Sequence, residues 1–397
     1  MKLLMLAPEF LPLRGGIGTY IVELIKNMPK DLEVHVLTPK RKSYNNSSKE
    51  LFTDKVTIHY TGISRDDILN NFLFQINCRK NIPEIISKYD IDIIHSQSTL
   101  PDLYVSPTSI NVPVVTTVHT TIRDEIDSIK NFDTKMYNLS NSEKTLLLVS
   151  PLLKYFENRY YTGNRQYITV SKWMMSRFLN DFKNVNENKI RVIYNGIDTD
   201  IFKPSEKNNL NKYFPELSDI KVPKVLFLSR WAERKGIRFF LKAIPDILKK
   251  TDVHFVFAGA NGSNKNQIPS KNCTFLGYIP QNKLPCLYAS CEIFLLPSLL
   301  ENFPFVLLEA MSCESAVISS SVGGIPEMIS HKENGFLIRA KNIRDIVESV
   351  VYCATNDNQR IEIGKRARET VKENFVWSKI ASNTYNYYED ILNDFKK

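Results

Sequence analysis

Long apolar runs are missing from this 397-residue chain. The longest beyond the start, Thr145 to Leu153, is broken by Ser150 and Pro151, far short of the ~20 apolar residues of a membrane span. Met1 to Ala7 is mostly apolar, but Pro8-Glu9 cuts it short of a signal peptide's core, so no secretory leader is expected. The 6 cysteines are scattered without a CxxC pair, and Cys286 and Cys291 are the nearest neighbours. That argues against a disulfide scaffold and fits reduced, mostly buried thiols in a cytoplasmic protein. HExxH, EF-hand, zinc-site, GxSxG and Walker A sequences are absent. No repeat or low-complexity tract occurs. Hydrophobic residues at 43% and charged residues at 24% exclude a disordered or fibrous chain. Lys and Arg number 52 against 43 Asp and Glu, a mild excess of +9. This suits anionic small ligands or an anionic membrane face. With no basic stripe interleaved with aromatics, nucleic acid is not an expected partner.

What is present is alternation. Lys2–Ala7, Val34–Thr38, Val56–Tyr60, Ile91–His95, Val114–His119, Ile168–Ser171 and Ile190–Tyr194 read as strands, rich in β-branched residues and bounded by turn formers. Helix-length segments such as Gly18–Met28 and Ile82–Lys88 lie between them. Near-continuous apolar strands of this kind predict a parallel sheet covered on both faces. Lys203-Pro204 and the polar stretch Ser205 to Lys212 read as a linker. The pattern then restarts with Val225–Ser229, Val253–Ala258, Cys273–Gly277, Ile293–Pro297, Ala316–Ser319 and Gly335–Ile338. The prediction is two doubly wound, Rossmann-like α/β domains, 1–203 and 204–376. The tail from Trp377 reads as one helix, with Tyr385, Tyr388, Ile391 and Leu392 at helical spacing. Lys40 to Asp54 is polar and reads as a loop. Ligands in such sheets sit outside the carboxyl ends of the strands, and two sheets facing each other there would make a cleft for two substrates.

Candidate functional residues follow those strand ends. Gly15-Gly16-Ile17-Gly18 follows the first strand and opens the first helix, where glycines admit a ligand and free N–H groups face an anion. The spacing is not GxGxxG, so a dinucleotide fingerprint is not met. A tight turn with no ligand is the other reading. Arg230 and Lys235 bracket a strand end, and a fork plus a point charge there can clamp a diphosphate. Solvated surface charge is the alternative. Glu309 sits in a nearly all-apolar helix start, Val306 to Met311, and a carboxylate there must find donors. A ribose diol offers two. Glu301 in the preceding loop could do the same for sugar hydroxyls, or act as a helix amino-terminal acid. His119 and His95 each end a strand, where a histidine is more commonly structural than catalytic. Asp198-Thr199-Asp200 and Asp90-Ile91-Asp92 have metal-compatible spacing, but their positions read as turn and strand start, so no metal is expected. Tyr155, Phe156, Arg159, Tyr160 and Tyr161 form an aromatic, partly basic patch able to dip into a membrane interface or to pack on a neighbouring helix.

In order along the chain, Gly15-Gly16-Ile17-Gly18, His119, Val192 to Asp198, Arg230 with Lys235-Gly236, Glu301 with Glu309-Ala310-Met311, and Gly323-Gly324-Ile325-Pro326-Glu327 resemble the retaining glycosyltransferases of family 4. The resemblance runs over nearly the whole chain. It implies a GT-B fold, an active site in the interdomain cleft, a nucleotide-sugar donor, and neither cofactor nor metal. By that analogy Arg230 and Lys235 hold the diphosphate and Glu309 the ribose hydroxyls. Glu301 with Asn302, Phe303, Pro304 and Phe305 holds the donor sugar. Gly277, Tyr278 and Ile279 lie near the nucleobase, Gly15 and Gly16 meet the phosphates, and His119 touches the sugar. The helix 377–397 completes the first domain. Acceptor-side residues are expected between Thr120 and Lys144, and the acceptor would be a glycan, a lipid-linked sugar or a small molecule. A cytoplasmic location is expected, with peripheral contact at the inner membrane face as a second expectation. Three departures stand out: Gln97 where many members have a second His, Asn302 where Gly is common, and Glu314 and Ala316 in place of Gly and Pro. A nucleotide-sugar 2-epimerase on the same fold and a non-catalytic membrane-surface protein are the competing expectations.

Overall fold

The computed structural model describes residues 1–11, 15–41, 52, 55–64, 68–97, 110–130, 141–162, 165–229, 231–259 and 270–396. They form two compact units, Met1–Tyr194 with Trp377–Lys397, and Asn195–Val376. The polar stretch Lys40 to Asp54 falls mostly outside the described residues.

The first unit is built on a seven-stranded, all-parallel sheet in the order β3-β2-β1-β4-β5-β6-β7. The strands are β1 Lys2–Leu6, β2 Glu33–Arg41, β3 Val56–Ser64, β4 Ile93–Ser96, β5 Val114–Val118, β6 Gln166–Thr169 and β7 Ile190–Val192. β1 is apolar beyond Lys2, β4 runs Ile93-Ile94-His95-Ser96, and both are buried on both faces, as central parallel strands are. The first helix runs Gly16–Asn27, two residues earlier than its sequence suggests. Its start, Gly15, is extended and offers no side-chain cap, so no Ser, Thr or Asp marks the boundary. The C-terminal helix Trp377–Phe395 belongs to this unit. It buries Trp377, Ile380, Ala381, Thr384, Tyr387, Tyr388 and Ile391, three and four residues apart, while Tyr385 stays half-exposed.

The second unit repeats the scheme with six parallel strands, β10-β9-β8-β11-β12-β13. These are β8 Lys224–Leu228, β9 His254–Ala258, β10 Cys273–Gly277, β11 Ile293–Leu296, β12 Ala316–Ser320 and β13 Phe336–Ile338. One face is aromatic. Phe227, Phe255 and Phe257 meet Phe240 of the helix Ile237–Leu248, and each fully buried ring contributes on the order of 2 kcal/mol. The second unit begins at Asn195, ahead of the polar stretch that reads as a linker. The reason is local. The Ile197 N–H donates to the Phe375 carbonyl at 2.8 Å, and the Arg368 guanidinium donates to the carbonyls of Thr199 and Phe202. The segment after Asn195 is thereby tied to helices of the second unit before its composition changes.

Candidate active site

In both sheets the strand order reverses beside the first strand, and an open α/β sheet offers its ligand crevice outside the carboxyl ends at that point. In the second unit the point lies between β8 and β11. The loop after β8 ends at Lys235-Gly236, and the loop after β11 spans 297–304. Gly236 has φ +71°, and a Cβ on it would stand 1.8 Å from the Pro297 carbonyl oxygen. Only glycine lets these two loops touch. The Leu299 N–H donates to the Arg234 carbonyl at 2.8 Å across the same contact.

Two site residues expected to grip different parts of a donor instead grip each other. Lys235 Nζ lies 2.5 Å from Glu301 Oε1, and the Ser298 hydroxyl donates to that oxygen at 2.8 Å. Lys235 is 15% and Glu301 9% exposed, so little water screens the pair. A polyanion entering here would compete with Glu301 for the ammonium and release a carboxylate that accepts hydroxyl protons. Glu301 is backed by glycine. A Cβ at Gly323, φ +58°, would sit 1.5 Å from the Glu301 carbonyl oxygen, and the Gly324 N–H donates to the Asn302 carbonyl at 2.9 Å. From the other side Asn195 Nδ2 donates to the Phe303 carbonyl at 2.6 Å, and the Phe303 ring meets Phe375 edge-on.

Pro304 caps the helix Phe305–Ser312, which carries Glu309 inward at 9% exposure. The buried carboxylate has found its donor within the protein: the Tyr288 hydroxyl donates to Oε2 at 2.7 Å. Burial still lifts Glu309 to about 7, against the opposing effect of that bond. Near neutrality the group can therefore accept or donate a hydrogen bond. Tyr288 carries no local sequence signal, because its partner lies 21 residues away. At the end of β10, Gly277 has φ +67° with open space where a Cβ would point, and Tyr278 is 79% exposed. Arg230 lies outside the described residues.

In the first unit, Gly15 and Gly16 follow β1 at the start of the helix, and Gly16 is exposed. His119 follows β5. Its Nε2 lies 3.0 Å from Gln97 Oε1, and its ring meets Tyr20 edge-on at 4.8 Å. Burial pushes His119 down to about 4, so the imidazole is neutral at pH 7. His95 has a structural role: it is fully buried between Tyr388, Thr117 and Gln97. Of the acceptor-side stretch Thr120 to Lys144, residues 131–140 lie outside the described residues. The Asp198 carboxylate accepts the N–H groups of Asp200 and Ile201, a turn, and that of Asp92 accepts the Lys2 N–H.

The aromatic patch divides, and most of it follows the packing alternative. Tyr160 and Tyr161 are 1% exposed, and Tyr161 packs against Phe178 and Phe182. Phe156 joins the same cluster. These side chains are core: the helix Asn141–Tyr160 turns Phe156 and Tyr160 inward, and Tyr161 just beyond its end joins the same cluster. Its outer face carries Leu148, Leu152 and Tyr155 with Lys144 and Arg159. Among the described residues no helix is long and apolar enough to cross a membrane.

Comparison with known proteins matches two family models in tandem. Residues 14–201 match Glycosyltransferase Family 4, and residues 211–370 match Glycosyl transferases group 1. An uncharacterized glycosyltransferase of Methanocaldococcus jannaschii is 33% identical over 236 residues, 56% of this chain and 60% of that protein. The N-acetyl-alpha-D-glucosaminyl L-malate synthase of Bacillus anthracis is 25% identical over 97% of this chain and 96% of its own length. Among solved structures, sucrose-phosphate synthase from Thermosynechococcus elongatus superposes with a TM-score of 0.78, at 19% identity over 99% of both chains. Anabaena HepE in complex with UDP-glucose gives 0.71 at 20% identity, over 98% of this chain and 100% of that one.

Proposed function

The chain belongs to the family 4 glycosyltransferases of GT-B fold, and from that premise we propose that it transfers a sugar from a nucleotide-diphosphate donor to an acceptor hydroxyl, with retention and without a metal ion. The observation that carries this reading is the Lys235–Glu301–Ser298 cluster at the switch point of the second sheet, with Glu309 on the helix that follows. In this reading the donor diphosphate takes Lys235 Nζ from Glu301, with Arg230 as a second cation. Glu301 then accepts from hydroxyls of the donor sugar, beside the backbone of Asn302 to Phe305. Glu309 holds the ribose with the oxygen that Tyr288 leaves over. The nucleobase lies by Gly277, Tyr278 and Ile279. His119 and the amides at Gly15-Gly16 are the first unit's substrate-facing groups.

The bond from the anomeric carbon to the diphosphate oxygen breaks with its electron pair on the diphosphate. The acceptor oxygen bonds to the same face of that carbon, and its proton passes to the departing oxygen. Negative charge grows on the diphosphate as this happens, where a fixed cation stabilises it most. The acceptor is a glycan, a lipid-linked sugar or a small molecule, and the basic, apolar outer face of the helix Asn141–Tyr160 meets an anionic lipid surface.

A thermal-shift screen against UDP-, GDP- and ADP-sugars tests the donor class, since a ligand that binds only the folded state raises the midpoint. One nucleotide family is expected to stabilise the protein. With that donor, Lys235→Ala and Glu309→Ala are each expected to lower transfer by at least about tenfold, roughly 1.4 kcal/mol. Turnover near wild type in both variants would remove the site assignment.

A further inference from the structure

Between β4 and β5 of the first unit runs a buried chain of polar side chains that the donor reading leaves unexplained. It passes from Tyr388 on the C-terminal helix to His95, then to Gln97 and then to His119. We propose that Gln97 is a positioning residue for His119: its side-chain amide holds the imidazole as the Nε2–H tautomer and leaves Nδ1 as the nitrogen without a proton. The inference rests on the reading above that His119 faces substrate.

The orientation of the Gln97 amide sets the tautomer. Its nitrogen lies 3.2 Å from Met5 Sδ and 3.0 Å from His95 Nε2, while its oxygen lies 3.0 Å from His119 Nε2. A thioether sulfur only accepts, so the group facing Met5 is the NH2, with one hydrogen for the sulfur and one for His95. Reversing the amide would set its oxygen against the sulfur lone pairs. With the amide so placed, Oε1 can only accept, and His119 Nε2 must donate.

His95 is consistent with this polarity. Its Nε2 accepts from Gln97 and from the Thr117 hydroxyl at 2.6 Å, so its proton sits on Nδ1 and is donated to the Tyr388 hydroxyl at 2.5 Å. Gln97 and His95 are fully buried, so water does not stand in for any of these partners. Among the described residues, the titratable groups in contact with this chain include Tyr20 from the first helix, Tyr388 from the C-terminal helix, and His95 itself. Each of them is neutral near pH 7: burial raises both tyrosines and lowers His95. His119 is thus offered to substrate as a neutral ring of fixed tautomer.

The test is nitrogen-15 NMR of the free, full-length protein with labelled histidine, His119 being assigned by the signal lost in His119→Gln. The expected wild-type spectrum shows His119 protonated at Nε2. Gln97→Met, close to isosteric, is expected to lose the single tautomer. Gln97→Glu keeps an acceptor at that place, so it should retain Nε2–H while moving the protonation of His119 to higher pH. In transfer assays Gln97→Met should lower kcat at least tenfold with the donor-induced thermal shift unchanged, and Gln97→Glu should shift the acid limb of the pH–rate profile upward. A wild-type His119 protonated at Nδ1, or a Gln97→Met protein with unchanged tautomer, overturns the proposal. The NMR result needs no substrate, so failure here is separable from failure of the glycosyltransfer reading. Should Gln97→Met not fold, the wild-type spectrum and Gln97→Glu still decide.

Discussion

Glu314 shows how much a single backbone conformation can decide. The helix Phe305–Ser312 ends with the Ser315 N–H on the Ala310 carbonyl and the Glu314 N–H on the Met311 carbonyl, both at 3.1 Å. These are the two bonds of a Schellman cap, whose turn residue must be left-handed. Glu314 has φ +63°. A side chain there costs about 1–2 kcal/mol, and glycine returns part of the gain through its looser unfolded chain. Glu314→Gly is therefore expected to stabilise the protein by about 1 kcal/mol, read as a higher urea midpoint. Glu314→Ala keeps the Cβ and is expected to gain nothing. A lower midpoint for the glycine variant would show that the Glu314 side chain makes up for the strain. Glycine at this place was legible as the family's habit, but the reason was not, because the cap depends on where the helix stops. The same limit applies at Glu309. That its carboxylate needs a donor followed from its apolar neighbours, yet Tyr288 as the donor did not, since only the fold brings the two together.

At the scale of elements, the strands among the described residues all lie within the runs read as strands or overlap them, because a central parallel strand is largely apolar on both faces. The placement of Lys235, Glu301 and Gly277 at strand ends followed from that reading. What the pattern could not supply was which side of an amphipathic segment turns inward. The helix Asn141–Tyr160 has aromatic residues on both sides, and the sheet took Phe156 and Tyr160. Leu148 at 81%, Leu152 at 55% and Tyr155 at 54% exposure remain outside, one turn apart and flanked by the exposed cations Lys144 and Arg159. An apolar ridge between cations suits an anionic lipid surface, where the ridge enters the interface and the cations meet headgroups. The protein is expected to float with vesicles containing phosphatidylglycerol at low salt, and not with neutral vesicles. Leu148→Glu with Leu152→Glu should abolish flotation without lowering the thermal midpoint, because neither side chain is buried. Equal flotation of wild type and the double variant would remove this face from the partner reading.

Over the whole molecule, partly and fully buried titratable groups respond to pH in both senses within each unit, and lowered histidines are concentrated in the first. In the first unit burial lowers His95 to about 3, and His59 and His119 to about 4. Each is neutral when folded but takes a proton near its ordinary value of about 6.5 when unfolded. Their contribution is complete above that value and is lost as pH falls toward 4, because the unfolded chain then binds more protons. Glu157 in the same unit opposes this. Burial raises it to about 7, so its contribution is complete below its ordinary value and declines as pH rises through 7. Asp124, also raised, acts in the same sense as Glu157. The three histidines, lowered to about 3 and about 4, outweigh them between about pH 6.5 and 4.5. In the second unit Glu309, raised to about 7, has the sign of Glu157, while His254 is lowered more modestly. Trp173 reports on the first unit and Trp231 on the second, so urea unfolding of single-tryptophan variants follows each separately. From pH 7 to pH 5 the Trp173 midpoint is expected to fall by more than the Trp231 midpoint. His95→Gln should reduce that fall by removing the deepest of the three histidines while keeping hydrogen-bonding capacity for Tyr388 and Thr117. If the two midpoints fall together, or the Trp173 midpoint rises, the buried neutral histidines do not govern the acid sensitivity of the first unit.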